Sequence, residues 1–228
     1  MLVVKGKKQD GMWGEARLDT RALGQLNWSS DGRLLHERRF DAQGRVHGIE
    51  TERDESGRVV WCATWVDGSM HGPAVQFDDR GRPVLVTHFV RGCGTDIWAS
   101  CGKVTELREL VDGVPHGLER WGDPRRPWEE GSFFAGQRHG IFREWKSDGT
   151  LRKGFPRYYV NGNQVSRRAY DAARASDPSL PPYVARKDLN KRRLPRAVRE
   201  AFERARNLRR ELVLVERARR LPRNALSF

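Results

Sequence analysis

Four of the six histidines in this chain sit in one recurring setting. Gly-x-x-His-Gly begins at Gly44, Gly68, Gly113 and Gly136, placing His47, His71, His116 and His139 directly before Gly48, Gly72, Gly117 and Gly140. Imidazole is a common metal ligand and general base, so four equivalent copies raise the question of a metal centre or a catalytic array. Geometry argues against both. Equivalent residues of successive hairpins stand roughly 10 Å apart, whereas the ligand atoms of a shared Zn²⁺ lie about 2.1 Å from one ion. The histidines are expected instead to brace each turn against the next repeat, with the following glycine leaving room for the ring.

Other chemistry is missing from the sequence. It holds no Gly-x-Ser-x-Gly, P-loop or His-Glu-x-x-His, and its cysteines (Cys62, Cys93 and Cys101) lack zinc spacing and read as free thiols. The acidic pairs Asp78-Asp79 and Glu129-Glu130 fall in polar, turn-like stretches, where solvated charge is the ordinary role. No catalytic residue, cofactor or metal is expected, and the chain reads as a non-enzyme.

The elements that would position these residues are hairpins. Degenerate copies of the motif begin at Gly92 and Gly162, and Gly57, Gly81 and Gly149 each follow a leading glycine by 13 residues. An apolar step precedes the leading glycine at Trp65-Val66, Phe89-Val90, Leu110-Val111, Phe133-Phe134 and Tyr159-Val160. Asp-Gly and Asn-Gly within these units are strong two-residue turn signals. Between turns apolar residues alternate, with Pro73, Val75 and Phe77, and then Leu85, Thr87 and Phe89, assigned to one face. One hairpin cannot bury its apolar face, but a stack of them shares a continuous surface.

These residues resemble MORN repeats, in the bacterial variant where Gly-x-x-His-Gly recurs about every 23 residues, and the array is similar to the YwqK family of presumed antitoxins. The resemblance runs from about Gly24 to Val165. It implies a mainly β fold, an elongated antiparallel sheet of tandem hairpins, and protein binding, with neutralisation of a toxin partner as one form of it. The third repeat departs from the pattern, and Asp123-Pro124-Arg125-Arg126-Pro127 replaces the mid-repeat glycine in the fourth.

The organisation expected is a lead-in strand region over 1–23, repeats over 24–165, a short helix and Pro-rich strap over 166–193, and a basic amphipathic helix over 194–228. Ser166 suits a helix cap. Pro181-Pro182 stiffens a segment that is either a strap across the sheet or a docking motif read by Leu180 and Tyr183. From Val198 onward, Phe202, Ala205, Leu208, Leu212, Val215 and Ala218 form a helical stripe opposite Arg199, Arg206, Arg209, Arg210, Arg217 and Arg219. That helix has competing uses: capping the open end of the β array, binding an acidic partner, or binding nucleic acid or an anionic surface through its arginines, and its stripe also suits pairing two chains.

Charge points the same way. The formal net charge is +13, with 43 Lys and Arg against 30 Asp and Glu. Residues 186–223 hold 15 of the basic and 5 of the acidic residues, so the remainder is nearly neutral. No apolar run reaches the roughly 20 residues needed to span a bilayer, and a cytoplasmic location is expected. The function expected is a protein-binding scaffold, with nucleic-acid binding through the helix as the alternative. Trp98, Trp121 and Trp145 stand outside the apolar step and are the candidate partner anchors.

Overall fold

The computed structural model describes the backbone of residues 2–8, 11–18 and 21–220 and the side chains of 23–213. The first antiparallel sheet joins β1 (Leu2–Lys8), β2 (Gly11–Leu18), β3 (Arg21–Trp28), β4 (Leu34–Arg39), β5 (Gly48–Arg53), β6 (Val59–Val66), β7 (Ser69–Phe77) and β8 (Pro83–Phe89) in chain order. The second holds β9 (Gly94–Ser100), β10 (Lys103–Val111), β11 (Val114–Asp123), β12 (Arg126–Phe134), β13 (Gln137–Arg138), β14 (Gly140–Glu144), β15 (Arg157–Val160) and β16 (Asn163–Val165). Its strands also follow chain order, with β13 paired to β12 off the main path. Helix α1 (Arg167–Arg174), a 3-10 turn (Ala185–Asp188) and helix α2 (Arg196–Arg220) complete the chain. The fold is thus mainly β, built of consecutive hairpins with a helical C-terminus. The boundary expected at 23/24 falls inside β3.

Two turn chemistries build the hairpins. Asp67-Gly68, Arg91-Gly92, Asp112-Gly113, Ala135-Gly136 and Asn161-Gly162 are two-residue turns with both residues at positive φ, the form whose twist matches the strands. The other kind is a five-residue turn headed by aspartate. In Asp54…Arg58, Oδ1 of Asp54 accepts from the N–H groups of Ser56 and Arg58, and Nε of Arg58 donates to Oδ2 at 3.1 Å. Asp78…Arg82 and Asp41…Arg45 repeat the cage. Gly44, although it leads a Gly-x-x-His-Gly segment, belongs to this second kind, because Asp41 and Arg45 enclose it.

Each of these two-residue turns presents two adjacent N–H groups, and the preceding repeat accepts both. Nδ1 of His47, His71, His116 and His139 accepts from Asp67, Arg91, Ala135 and Asn161 at 3.5, 3.2, 3.5 and 3.1 Å. The carbonyl one residue before each histidine (Val46, Met70, Pro115 and Arg138) accepts from Gly68, Gly92, Gly136 and Gly162. In the degenerate repeat Cys93 takes the histidine's place. Its Sγ lies 3.5 Å from the N–H of Asp112, and the carbonyl of Gly92 accepts from Gly113.

The glycine after the histidine serves a different purpose from the one expected. At Gly72 φ is +107°, and a Cβ there would meet the Thr64 side chain rather than the imidazole. The β6–β7 register slips between Ala63 and Trp65 opposite this point, so His71-Gly72 forms a bulge that only glycine accommodates without strain.

Register also corrects the assignment of faces. Val75 pairs with Val86, while Gln76 pairs with Leu85 and Ala74 with Thr87. Cross-strand partners share a face, so Leu85, Thr87 and Phe89 lie opposite the side of Pro73, Val75 and Phe77.

The array breaks between β8 and β9. Among the described residues these strands share the isolated bridge Val90–Cys93 instead of a ladder. Gln76 on β7 supplies the missing hydrogen bonds. Its amide donates to the carbonyl of Ile97 at 2.5 Å and accepts from the N–H of Ala99 at 2.9 Å. Trp61 on β6 and Trp98 on β9 would be roughly 14 Å apart in a flat sheet, yet their rings stack at 5.9 Å. The second sheet therefore turns toward that face.

The break leaves β8 as an internal edge, and α2 covers it. Val198 and Ala201 pack with Leu85, Ile97, Val104 and Leu107, Ala205 packs with Val75 and Val86, and Nε of Arg204 donates to the β8 carbonyl of Val86. The helix thus covers an edge in the middle of the array rather than its end. Its contact closes near Leu208, and Leu212 is 46% exposed.

The strap crosses one face of the second sheet. Ser166 caps α1 through the N–H of Ala169. Tyr170 and Leu180 are buried against Ile141 and Tyr158, with Tyr183 packed beside them. Burying side chains of this size stabilises by about 1.5–3 kcal/mol each. His139 Nδ1 is an acceptor, so Nε2 carries the proton and faces Ser179 at 3.0 Å and Asp177 at 3.2 Å. Buried Glu130 ties the strap down, meeting Arg120 at 2.6 Å and Arg192 at 2.8 Å.

Three outcomes follow from this packing. His71→Leu should lose an acceptor for the Arg91 N–H and lower stability by about 1 kcal/mol, while His71→Asn, which keeps an oxygen near the Nδ1 position, should recover part of it in urea denaturation. Glu130→Ala leaves Arg120 and Arg192 without their carboxylate and should cost about 3–5 kcal/mol by the same measurement. The Asp54 carboxyl is held down to about 2, chiefly by the Ser56 hydroxyl and the Arg58 N–H. Burial opposes the shift at Asp41 and Asp78, yet hydrogen bonds from Arg45 and Arg82 still hold both below the ordinary range. A depressed folded-state value means stability is complete above the unfolded value of about 3.9 and lost as pH falls through the folded one. The urea midpoint should therefore drop between about pH 4 and 2, and less steeply in Asp54→Asn.

Candidate partner-binding face

The second sheet has two unlike faces because its side chains alternate. One carries Ile97, Leu107, Leu118, Arg120, Glu130, Ile141, Arg143 and Tyr158. Strap, α1 and α2 all pack there. The register places Asp96, Trp98, Glu106, Arg108, Glu119, Trp121, Glu129 and Glu144 on the other.

This second face is a compact arrangement of carboxylates and indoles. Arg108 pairs with Glu119 through Nε and with Glu106 through Nη2, both at 2.6 Å. The indole N–H of Trp98 donates to Asp96 at 3.1 Å, and that of Trp121 to Glu119 at 2.7 Å. Arg108 lies 5.9 Å from the Trp121 ring centroid, and Trp128, 52% exposed, lies 6.1 Å from it on the other side. Five carboxylates meet three arginines here: Arg108, the Arg152 that reaches Glu144, and Arg138, whose charge acts on Glu129.

Burial acts first on three of these carboxyls, and neighbouring negative charge adds to it at Glu106 and Glu129. Burial pushes the Asp96 carboxyl up, and the Trp98 N–H and Arg108 only partly offset it. Glu106 is raised first by burial and then by Asp96 and Glu119, against the pull of Arg108. Glu129 is raised by burial and by Glu144, against the pull of Arg138. Added positive charge would be favourable on this face, and the indoles offer surfaces on which a guanidinium or ammonium group can stack.

The expected tryptophan anchors divide. Trp98 and Trp121 lie on the carboxylate face, half-buried. Trp145 does not: it is 3% exposed, its indole N–H donates to the Asp188 carbonyl at 2.6 Å, and Arg192 covers its ring. It is core under the strap, because β14 ends where the strap crosses. The carboxylates and Trp61 were missed as site residues. Gln76 is buried. The aspartates heading the turns were missed as well, although Asp-x-x-Gly-Arg recurs at 41–45, 54–58 and 78–82.

Leu180 and Tyr183 point into the strap's own cluster. On α2, Arg199, Arg206 and Arg210 are exposed and Arg209 is half-exposed. The side chains of Arg217 and Arg219 lie outside the described residues. Asp41, His47 and Asp67 come together at the first repeat, but Arg45 already pairs with both carboxylates at 2.8 Å and the imidazole faces the Asp67 N–H. A guanidinium occupies the place a cation would take. No described helix is long and apolar enough to cross a membrane.

Truncating Trp145 should remove a hydrogen bond and a covered ring from the core, at about 3–5 kcal/mol, whereas Trp121→Ala should shift the thermal midpoint much less. Circular dichroism melts of the two variants make the comparison. Against protein-family models and curated proteins the chain gives no match.

Proposed function

We propose that the chain is a non-enzymatic protein-binding scaffold whose carboxylate–tryptophan face takes an Arg- or Lys-rich segment of a protein partner. One observation carries the reading: Trp98 and Trp121 stand among five carboxylates on the side of the second sheet opposite the strap and helices. Indole anchors within a polar surround are the usual anatomy of a specific interface. Charge complementarity selects the cationic segment. The resemblance of the repeats to MORN and YwqK-type arrays adds the class of partner, a protein such as a toxin neutralised by occupation.

A second reading rests on α2. Its apolar side is seated on β8, so exposed Arg199, Arg206 and Arg210 are free to meet nucleic acid or an anionic surface.

A synthetic arginine-rich peptide tests the first reading, because a chain of net charge +13 has no general attraction for a polycation. Saturable binding is expected, weakened by about 2 kcal/mol in Trp98→Ala or Trp121→Ala with circular dichroism unchanged. Absence of binding, or binding indifferent to both substitutions, would sink it.

A further inference from the structure

The strap carries a second constellation, unrelated to the carboxylate face. Arg186, Lys187, Lys191, Arg192 and Arg193 line a pocket of about 450 Å³ on its outer side, within the size range of small-molecule sites. No carboxylate is among its lining residues. Two neighbouring carboxylates are already committed: Glu130 to Arg120 and Arg192, and Asp188 to Arg143 and Tyr183.

Positive charge here exceeds what the protein supplies to balance it. Desolvation holds the Lys187 ammonium below its ordinary range, and the charges of Arg143, Arg192 and Arg120 add to this against the opposing pull of Glu130. Nη2 of Arg143 is buried without a hydrogen-bond partner among the described residues. Of the five lining cations only Arg192 is paired to a carboxylate, Glu130, so the other four are left without one among the described residues. A single bound carboxylate would leave most of that charge unbalanced. A phosphoryl group carries roughly −2, so two or three in succession would balance it. Lysine ammonium groups and arginine forks together also suit oxygens that point in several directions.

We propose that this pocket binds a run of two or three phosphoryl groups, from a free polyphosphate or from consecutive phosphates of a nucleic-acid strand. The anion sits among Arg186, Lys187, Lys191 and Arg193, while Arg192 stays paired to Glu130 and holds the floor. The pocket is distinct from the arginines of α2, and its occupant would fasten the strap more firmly to the sheet.

The test is calorimetric titration of the full chain with inorganic pyrophosphate and, separately, with a short single-stranded oligonucleotide. The expected result is binding of at least one, weakened tenfold or more in Lys187→Gln/Lys191→Gln and unchanged in Arg199→Ala/Arg206→Ala/Arg210→Ala. Pyrophosphate binding identifies a free polyphosphate as sufficient, while oligonucleotide binding alone assigns the strand. Arg186→Gln/Arg193→Gln serves as a second variant should the first fail to fold, and the ligand should raise the wild-type melting temperature by linkage. No binding of either probe, or binding abolished by the α2 substitutions and indifferent to the strap ones, would overturn the proposal.

Discussion

Acceptance of two adjacent turn N–H groups by the preceding repeat is the interaction on which the rest of this protein rests. A two-residue turn of this hand points both groups outward, and without partners they would face solvent or be buried unsatisfied. His71 and the Met70 carbonyl supply both partners for Arg91 and Gly92, and the arrangement recurs along one edge of the array. Each turn is therefore completed by its predecessor, as in repeat proteins where stability passes between neighbours. Cys93 keeps the relay intact through the degenerate repeat. Its sulfur is a weak acceptor, but the accompanying bond from Gly113 to the Gly92 carbonyl is of ordinary length at 3.0 Å.

That same repeat is where the sheet breaks. The turn at Cys101-Gly102 has two residues where Asp54…Arg58 and Asp78…Arg82 have five, and β9 leaves the plane of β8. Three features compensate. Gln76 acts as a piece of strand toward β9, Arg204 meets a carbonyl of the exposed edge, and the apolar side of α2 fills the angle. An open edge is a liability in any sheet, and here the basic helix is the means of closing one.

Covering one face of the second sheet separates charge. The strap and helix bring cations to that side, leaving the carboxylates and indoles together on the other. A chain with a net charge of +13 thereby holds a local surplus of negative charge on one face and of positive charge on the other. Each is a place where an oppositely charged group would be favoured, and the two are independent.

The repeat, its two-residue turns and the helix cap at Ser166 were legible in the sequence, because each depends on residues close together in the chain. Asp-Gly, Asn-Gly and the His-Gly bulge carry their backbone conformation with them, wherever the strands finally lie. The faces were not legible to the same degree. A bulge shifts the register by one residue and exchanges inside for outside, so Pro73, Val75 and Phe77 fell on the wrong side. Trp98 and Trp145 look alike in sequence, since both stand outside the apolar step; only the path of a strap some 40 residues further on makes one core and leaves the other on the carboxylate face. The sequence by itself determined the hairpins, their phase and the basic helix. Tertiary structure decided where the sheet breaks, which edge the helix closes and which charges are left without partners, because those follow from contacts between residues far apart in the chain.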